Sequence, residues 1–172
     1  MLIRTEAPAD ILPIDQLLRS SLNDEDTADL VMAYRESSRI TLSLVACDDE
    51  GQILGYILFT PVAHDGVFHS WQHLRLLLTA PQTQDDIKPQ LVTEGLNSLY
   101  EFGYPVCTVF GVDEYYQSLG FRPGNHFGIS PAAVLPSPHQ LLICEMVSGT
   151  VDAMSGHPLE FDASLLSVFP GF

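Results

Sequence analysis

The chain reads as an α/β domain, a single mixed sheet with helices on its faces. Three observations predict this. A strand-turn-strand pattern runs from Thr41 to Thr60, and an apolar strand feeds directly into a helix between Leu76 and Lys88. The elements also follow the order helix, helix, two strands, strand, helix, strand, helix, two strands, so period-2 and period-3.6 segments are interleaved along one chain.

Composition bounds the reading before any element is placed. The 172 residues are 46% hydrophobic and 17% charged, which suits one domain with a full core and excludes disorder. Acids outnumber bases 22 to 7, for a net charge of −15, a field that repels phosphate backbones and anionic lipid surfaces. Nucleic acid and membrane are therefore not expected partners, whereas a cationic ligand such as an amine is compatible. No stretch is long and apolar enough to span a bilayer, and Met1 to Glu6 does not resemble a signal peptide, so a cytoplasmic location is expected. Cys47, Cys107 and Cys144 each sit in an apolar, strand-like run, the pattern of buried thiols in a reducing compartment.

Ile14, Leu17, Leu18 and Leu22 recur at helical spacing, and Pro13 is tolerable in a first turn opened near Asp10. A second helix is predicted from Asp26 to Arg35, with Ala28, Val31 and Tyr34 on one side. Thr41 to Cys47 and Gln52 to Thr60 are strands joined by the turn Asp48-Asp49-Glu50-Gly51. A loop from Val62 to Ser70 leads to a strand from Trp71 to Leu78, then a helix from Gln84 to Phe102 stopped by Gly103. Val106 to Phe110 is a short buried strand, Glu114 to Leu119 a brief helix closed by Gly120-Phe121, and His126–Ser130 and Gln140–Val147 two last strands. The segment from 148 to 172 carries Val151, Leu159, Phe161, Leu165 and Phe169, so it reads as a tail packed on a domain spanning 1–147.

The stretch Leu76 to Lys88 concentrates the chemistry. A helix start presents free backbone N–H groups and a positive dipole end, a ready host for an anion. Here the connecting loop has no glycine and carries Asp85 and Asp86 side by side. Thr83-Gln84-Asp85-Asp86 has the spacing of a capping box, with Thr83 predicted as the N-cap and the helix-start amides satisfied internally.

Several segments together resemble the GCN5-related N-acetyltransferase (GNAT) family, in particular its small bacterial YhbS-type branch. They are the hairpin Leu44 to Ile57, the helix Gln90 to Leu99, and Glu101-Phe102-Gly103-Tyr104 followed by Tyr116-Gln117-Ser118-Leu119-Gly120-Phe121. The resemblance spans most of the chain to about Val147. It implies the acyl-CoA N-acyltransferase fold and transfer of an acetyl group from acetyl-CoA to an amine of a small molecule, or to a protein N-terminus or lysine. Dimers are common in the family, so a homodimer is a further expectation of the resemblance. The matching strand Leu76, Leu77 and Leu78 would hold the pantetheine arm, and the segment Thr83, Gln84, Asp85, Asp86, Ile87 and Lys88 the pyrophosphate. Tyr116 matches a tyrosine that protonates the leaving thiolate, for which a phenol is a reasonable acid.

The chain departs from the family at the loop, whose pattern is V-x-P-x-x-[R/Q]-x-x-G-x-[G/A]. Aligned without gaps, Leu78 takes the first position, Thr83 the Arg/Gln position, Asp86 the glycine and Lys88 the last small residue; sliding by one puts Pro81 and Gln84 at the proline and glutamine positions, with Ile87 and Pro89 in place of the small residues. Side chains at those positions obstruct close backbone approach to phosphate. The alternative reading is therefore a catalytically inactive GNAT-fold binding protein that has lost the pyrophosphate site. Arg75 and Lys88 are the scarce cations near the loop. His73 is a candidate base for the amine, with Glu36 and Glu114 as generic alternatives, and Tyr115 is expected to point away from the site. His64, His69 and His73 match no metal-ligand spacing, and no metal is expected.

Overall fold

The computed structural model describes residues 1–22, 25–62, 70–81, 83–131, 134–154 and 156. Among these residues, seven strands form one sheet: β1 (Leu2–Thr5), β2 (Leu42–Cys47), β3 (Ile53–Pro61), β4 (Gln72–Thr79), β5 (Val106–Gly111), β6 (Arg122–Pro123) and β7 (Gln140–Glu145), in spatial order β1-β2-β3-β4-β5-β7-β6. All neighbours are antiparallel except β4 and β5. Among the described residues, four α-helices accompany it: α1 (Ile11–Leu22), α2 (Glu25–Glu36), α3 (Ile87–Glu101) and α4 (Asp113–Tyr116).

Each face of the sheet buries one side of the helical pattern. Ile14, Leu17 and Leu18 of α1 and Ala28 and Val31 of α2 pack with Val45, Tyr56, Leu58, Leu76 and Leu78. On the other face, Leu91, Val92, Leu96 and Leu99 of α3 pack with Leu44, Ile57, Phe59, Leu74 and Leu77. A third cluster joins Val62, Trp71, Phe110, Leu141 and Ile143 at the β5–β7 end, and Val151 is buried in it. Val151 belongs to the predicted tail segment. Residues 157–172, including Leu159, Phe161, Leu165 and Phe169, lie outside the described residues, as does the side chain of Leu22.

Three expectations are corrected. The sequence pattern predicts no strand before the first helix, yet β1 pairs Leu2 through Thr5 with Cys47 through Leu44. Its four residues are too few for a strand period to register. No strand spans His126–Ser130: residues Gly124–Phe127 form a 3-10 turn ended by Gly128 at φ 73°, and the strand is the preceding pair Arg122–Pro123. A β-carbon on Gly124 would lie 2.6 Å from the Ile129 carbonyl, so the chain folds back on itself there. Finally, α3 begins at Ile87, not Gln84. Pro89 sets this start. It has no N–H and its ring crowds the carbonyl four residues back, so it is tolerated only within a first turn, whose N–H groups lack intrahelical acceptors.

Candidate active site

The site begins where two strands part. Strands β4 and β5 pair at Gln72 with Cys107 and at His73 with Thr108, and no further rung joins them. Just beyond, the β3–β4 register passes from Phe59–Leu74 to Leu58–Leu76, leaving Arg75 as an extra residue on β4. Such a bulge bends its strand and increases local twist. From here β4 stays on β3, with Ile57–Leu77 and Tyr56–Leu78 in register, while its other edge leaves β5. The side chains of Leu76, Leu77 and Leu78 are buried, so what the parted edge offers is backbone N–H and C=O.

A cleft of about 350 Å³ lies at the end of this edge, lined by Thr79, Thr83, Gln84, Asp85, Lys88, Pro89 and Tyr115. The loop that forms its floor is anchored by Ala80, whose N–H donates to the Leu54 carbonyl at 2.8 Å. Thr83 does not cap α3: its hydroxyl donates to the Ala80 carbonyl at 2.9 Å. The N-cap position is Asp86, without a side-chain cap bond, and the Asp86 carboxylate instead accepts from the Gln90 amide at 2.8 Å. The predicted capping box is therefore not formed, because Pro89 moves the helix start three residues along. Lys88 is partly buried at the cleft; burial lowers its pKa, and Asp85 opposes that shift.

The two neighbouring tyrosines divide. Tyr116 is fully buried, its ring edge-on to Phe121 at a centroid distance of 5.3 Å. Gly111 makes room for it, since a β-carbon there would meet the ring at 2.6 Å. Burial raises the phenol above its ordinary range, and Cys107 nearby adds to the effect. Tyr115 is 50% exposed and lines the cleft, contrary to the expectation that it points away. Thr79 and Pro89 line the cleft as well, neither of them among the site residues the sequence predicts. The signal for both was present: Thr79 ends the strand, and a proline two residues into a helix must sit at its open end.

His73 faces β5 and not the cleft. Its Nδ1 lies 2.8 Å from the Thr108 hydroxyl, and its ring stands edge-on to Phe110 at 4.8 Å. Burial, and then the Arg75 charge, depress its pKa to about 3. Arg75 is 1% exposed, its guanidinium 5.7 Å from the ring centre of Tyr34. It is committed to the α2 side of the sheet and does not reach the loop as a phosphate partner. Among the described residues no group of three or more His, Cys, Asp or Glu could hold a metal ion; His64 and His69 lie outside them.

No family model matches the chain. It is 42% identical over 127 residues to the N-acetyltransferase YhbS of Escherichia coli K12, across 73% of this chain and 76% of that one. The chain belongs to the GNAT family. The crystal structure of Escherichia coli YhbS in complex with CoA superposes with a TM-score of 0.83 at 32% identity, covering 98% of this chain and 92% of that one. A GNAT acetyltransferase of Brucella melitensis in complex with acetyl-CoA gives a TM-score of 0.65 at 33% identity, over 70% of this chain and 82% of that one. The mixed sheet flanked by helices is thus the GNAT fold, as the sequence resemblance implied.

Proposed function

We propose that this GNAT protein is an N-acetyltransferase that moves an acetyl group from acetyl-CoA to an amine. The observation that carries the reading is the parting of β4 from β5 beyond His73, which opens a strand edge onto the cleft at the head of α3. A donor arm laid along Leu76, Leu77 and Leu78 would find amide partners as an added strand does. Bound there, acetyl-CoA would supply the acyl group as an activated thioester.

The chain's own groups take the remaining roles. Tyr116, its phenol held protonated by a raised pKa, is the candidate donor for the departing sulfur, although its ring is buried and Tyr115, not Tyr116, lines the cleft. Thr83, Gln84, Asp85 and Lys88 line the far end of the donor cleft, whereas Ile87 is buried in the core and Asp86 is exposed outside that lining. His73 suits a base poorly: a group with a pKa of about 3 holds a proton weakly at neutral pH, and its Nδ1 is engaged with Thr108. The net charge of −15 favours approach of a cationic amine, and a small-molecule amine or a protein amino group fits that field.

A silent binding protein is the second reading, and the burial of Tyr116 favours it. Turnover separates the two. Acetyl-CoA hydrolysis or transfer is measured with a panel of amines, and Tyr116→Phe is expected to lower turnover by about 10²-fold or more with the donor affinity little changed. Absence of acetyl-CoA binding at millimolar concentration would overturn the enzymatic reading. Binding without turnover by any amine would favour the second.

A further inference from the structure

The two ends of the proposed donor cleft differ in what they can hold. The strand end is neutral backbone, the parted edge of β4 from Leu76 to Thr79. The helix end is where the diphosphate of a CoA would lie, and its lining carries one cation, Lys88, and one carboxylate, Asp85. Their charges cancel. Burial works against the Lys88 ammonium, while Asp85 is exposed at the rim.

The helix start offers fewer backbone donors than a full first turn would. Pro89 removes one N–H from the first turn of α3, and the Ile87 N–H is turned to the Gln84 carbonyl at 3.3 Å. Four other cations are engaged elsewhere: Arg4, Arg19 and Arg35 are paired with Asp10, Asp15, Asp29 and Glu6, and Arg75 is buried beside Tyr34. The whole molecule adds a net charge of −15 against a polyanion.

We infer that the donor site recognises the pantetheine arm of its thioester and draws little affinity from the diphosphate. The substrate class that follows is acyl thioesters of pantetheine-type thiols, with acyl-CoA as one member and not the privileged one. This rests on the donor-site reading above. It goes further by separating the arm from the phosphates.

The test compares two donors on the full chain by calorimetry: acetyl-CoA and S-acetylpantetheine, which has the arm and no phosphate. Their affinities are expected to agree within about fivefold and to change little between low and high salt. Lys88→Met should weaken acetyl-CoA by less than about threefold, and Asp85→Asn should strengthen acetyl-CoA without moving S-acetylpantetheine. Acetyl-CoA binding more than about 50-fold tighter, or a tenfold loss in Lys88→Met, overturns this inference and leaves the donor site standing. Binding of neither compound overturns the donor site itself, and this inference with it.

Discussion

The Nδ1 of His73 and the Thr108 hydroxyl lie 2.8 Å apart on the last rung before β4 and β5 separate. Both residues are buried, so this bond joins the two strands at the point where the wedge opens. Thr108→Val keeps the shape and removes the partner. It leaves a buried imidazole nitrogen unsatisfied and should cost about 1–3 kcal/mol. Urea denaturation measures it; an unchanged midpoint would show that the rung does not depend on the side chains.

The same histidine gives the fold an acid-sensitive term. Its pKa is about 3 in the folded chain against an ordinary 6.5, so below pH 6.5 the unfolded chain binds more protons than the folded one. The stabilisation is complete above 6.5 and declines as the pH falls toward 3, by up to about 1.4 kcal/mol per pH unit. His73→Gln, which can still bond Thr108, removes that dependence. Denaturation midpoints at pH 7, 5 and 4 should fall less steeply in the variant than in the parent. Parallel curves would sink the assignment.

Gly111 and Tyr116 are matched in shape. An alanine β-carbon at Gly111 would sit 2.6 Å from the ring, and the ring is boxed in by Phe121. Gly111→Ala should therefore displace Tyr116 and cost about 1–3 kcal/mol. If Tyr116 serves the thiolate, turnover should fall with it, and adding Tyr116→Phe should cost nothing more. Independent losses in the two variants would mean that Gly111 acts by another route.

How far the chain announced these features varies with the range of the interaction. The hairpin around Gly51 and the faces of α1 and α3 are local patterns, and the observed strands and burial follow them closely. The start of α3 is equally local, but two local signals compete there: the spacing of Thr83 and Asp86 predicts a start near Gln84, and Pro89 sets it at Ile87. Other features depend on distant partners. Strand β1 exists because Cys47 to Leu44 offer it an edge, and His73 is buried because Thr108 and Phe110, more than thirty residues away, come to meet it. At Tyr115 and Tyr116 the pattern located the helix but not which ring turns inward. The Gly111 gap decides that, and it belongs to β5.

Gly95 on α3 sets two effects against each other. Alanine in a helix interior gains about 1 kcal/mol over glycine. A β-carbon here, however, would lie 2.5 Å from the Phe59 ring, buried in the core beneath the helix. The overlap costs about 1–3 kcal/mol when neighbours cannot move aside, so Gly95→Ala should destabilise despite its better propensity. A raised melting temperature would show that Phe59 yields freely.

Glu6 and Arg35 tie the end of α2 to the first two strands. Their ion pair is nearly buried, at 12% and 13% side-chain exposure, and Ser43 also donates to the Glu6 carboxylate while bonding Tyr56 at 2.9 Å. The Nε and Nη2 of Arg35 find no acceptor among the described residues, so Glu6 supplies what compensates the desolvated cation. Removing Glu6 alone strands that charge, and Glu6→Leu should cost about 3–5 kcal/mol. Arg35→Met leaves Glu6 held by Ser43 and should cost less. With both changed, no unpaired charge remains, and the double variant should recover about 2 kcal/mol or more relative to the sum of the singles. A double-mutant cycle in urea decides it. Additivity to within about 0.5 kcal/mol would mean that the two residues are neighbours without being coupled.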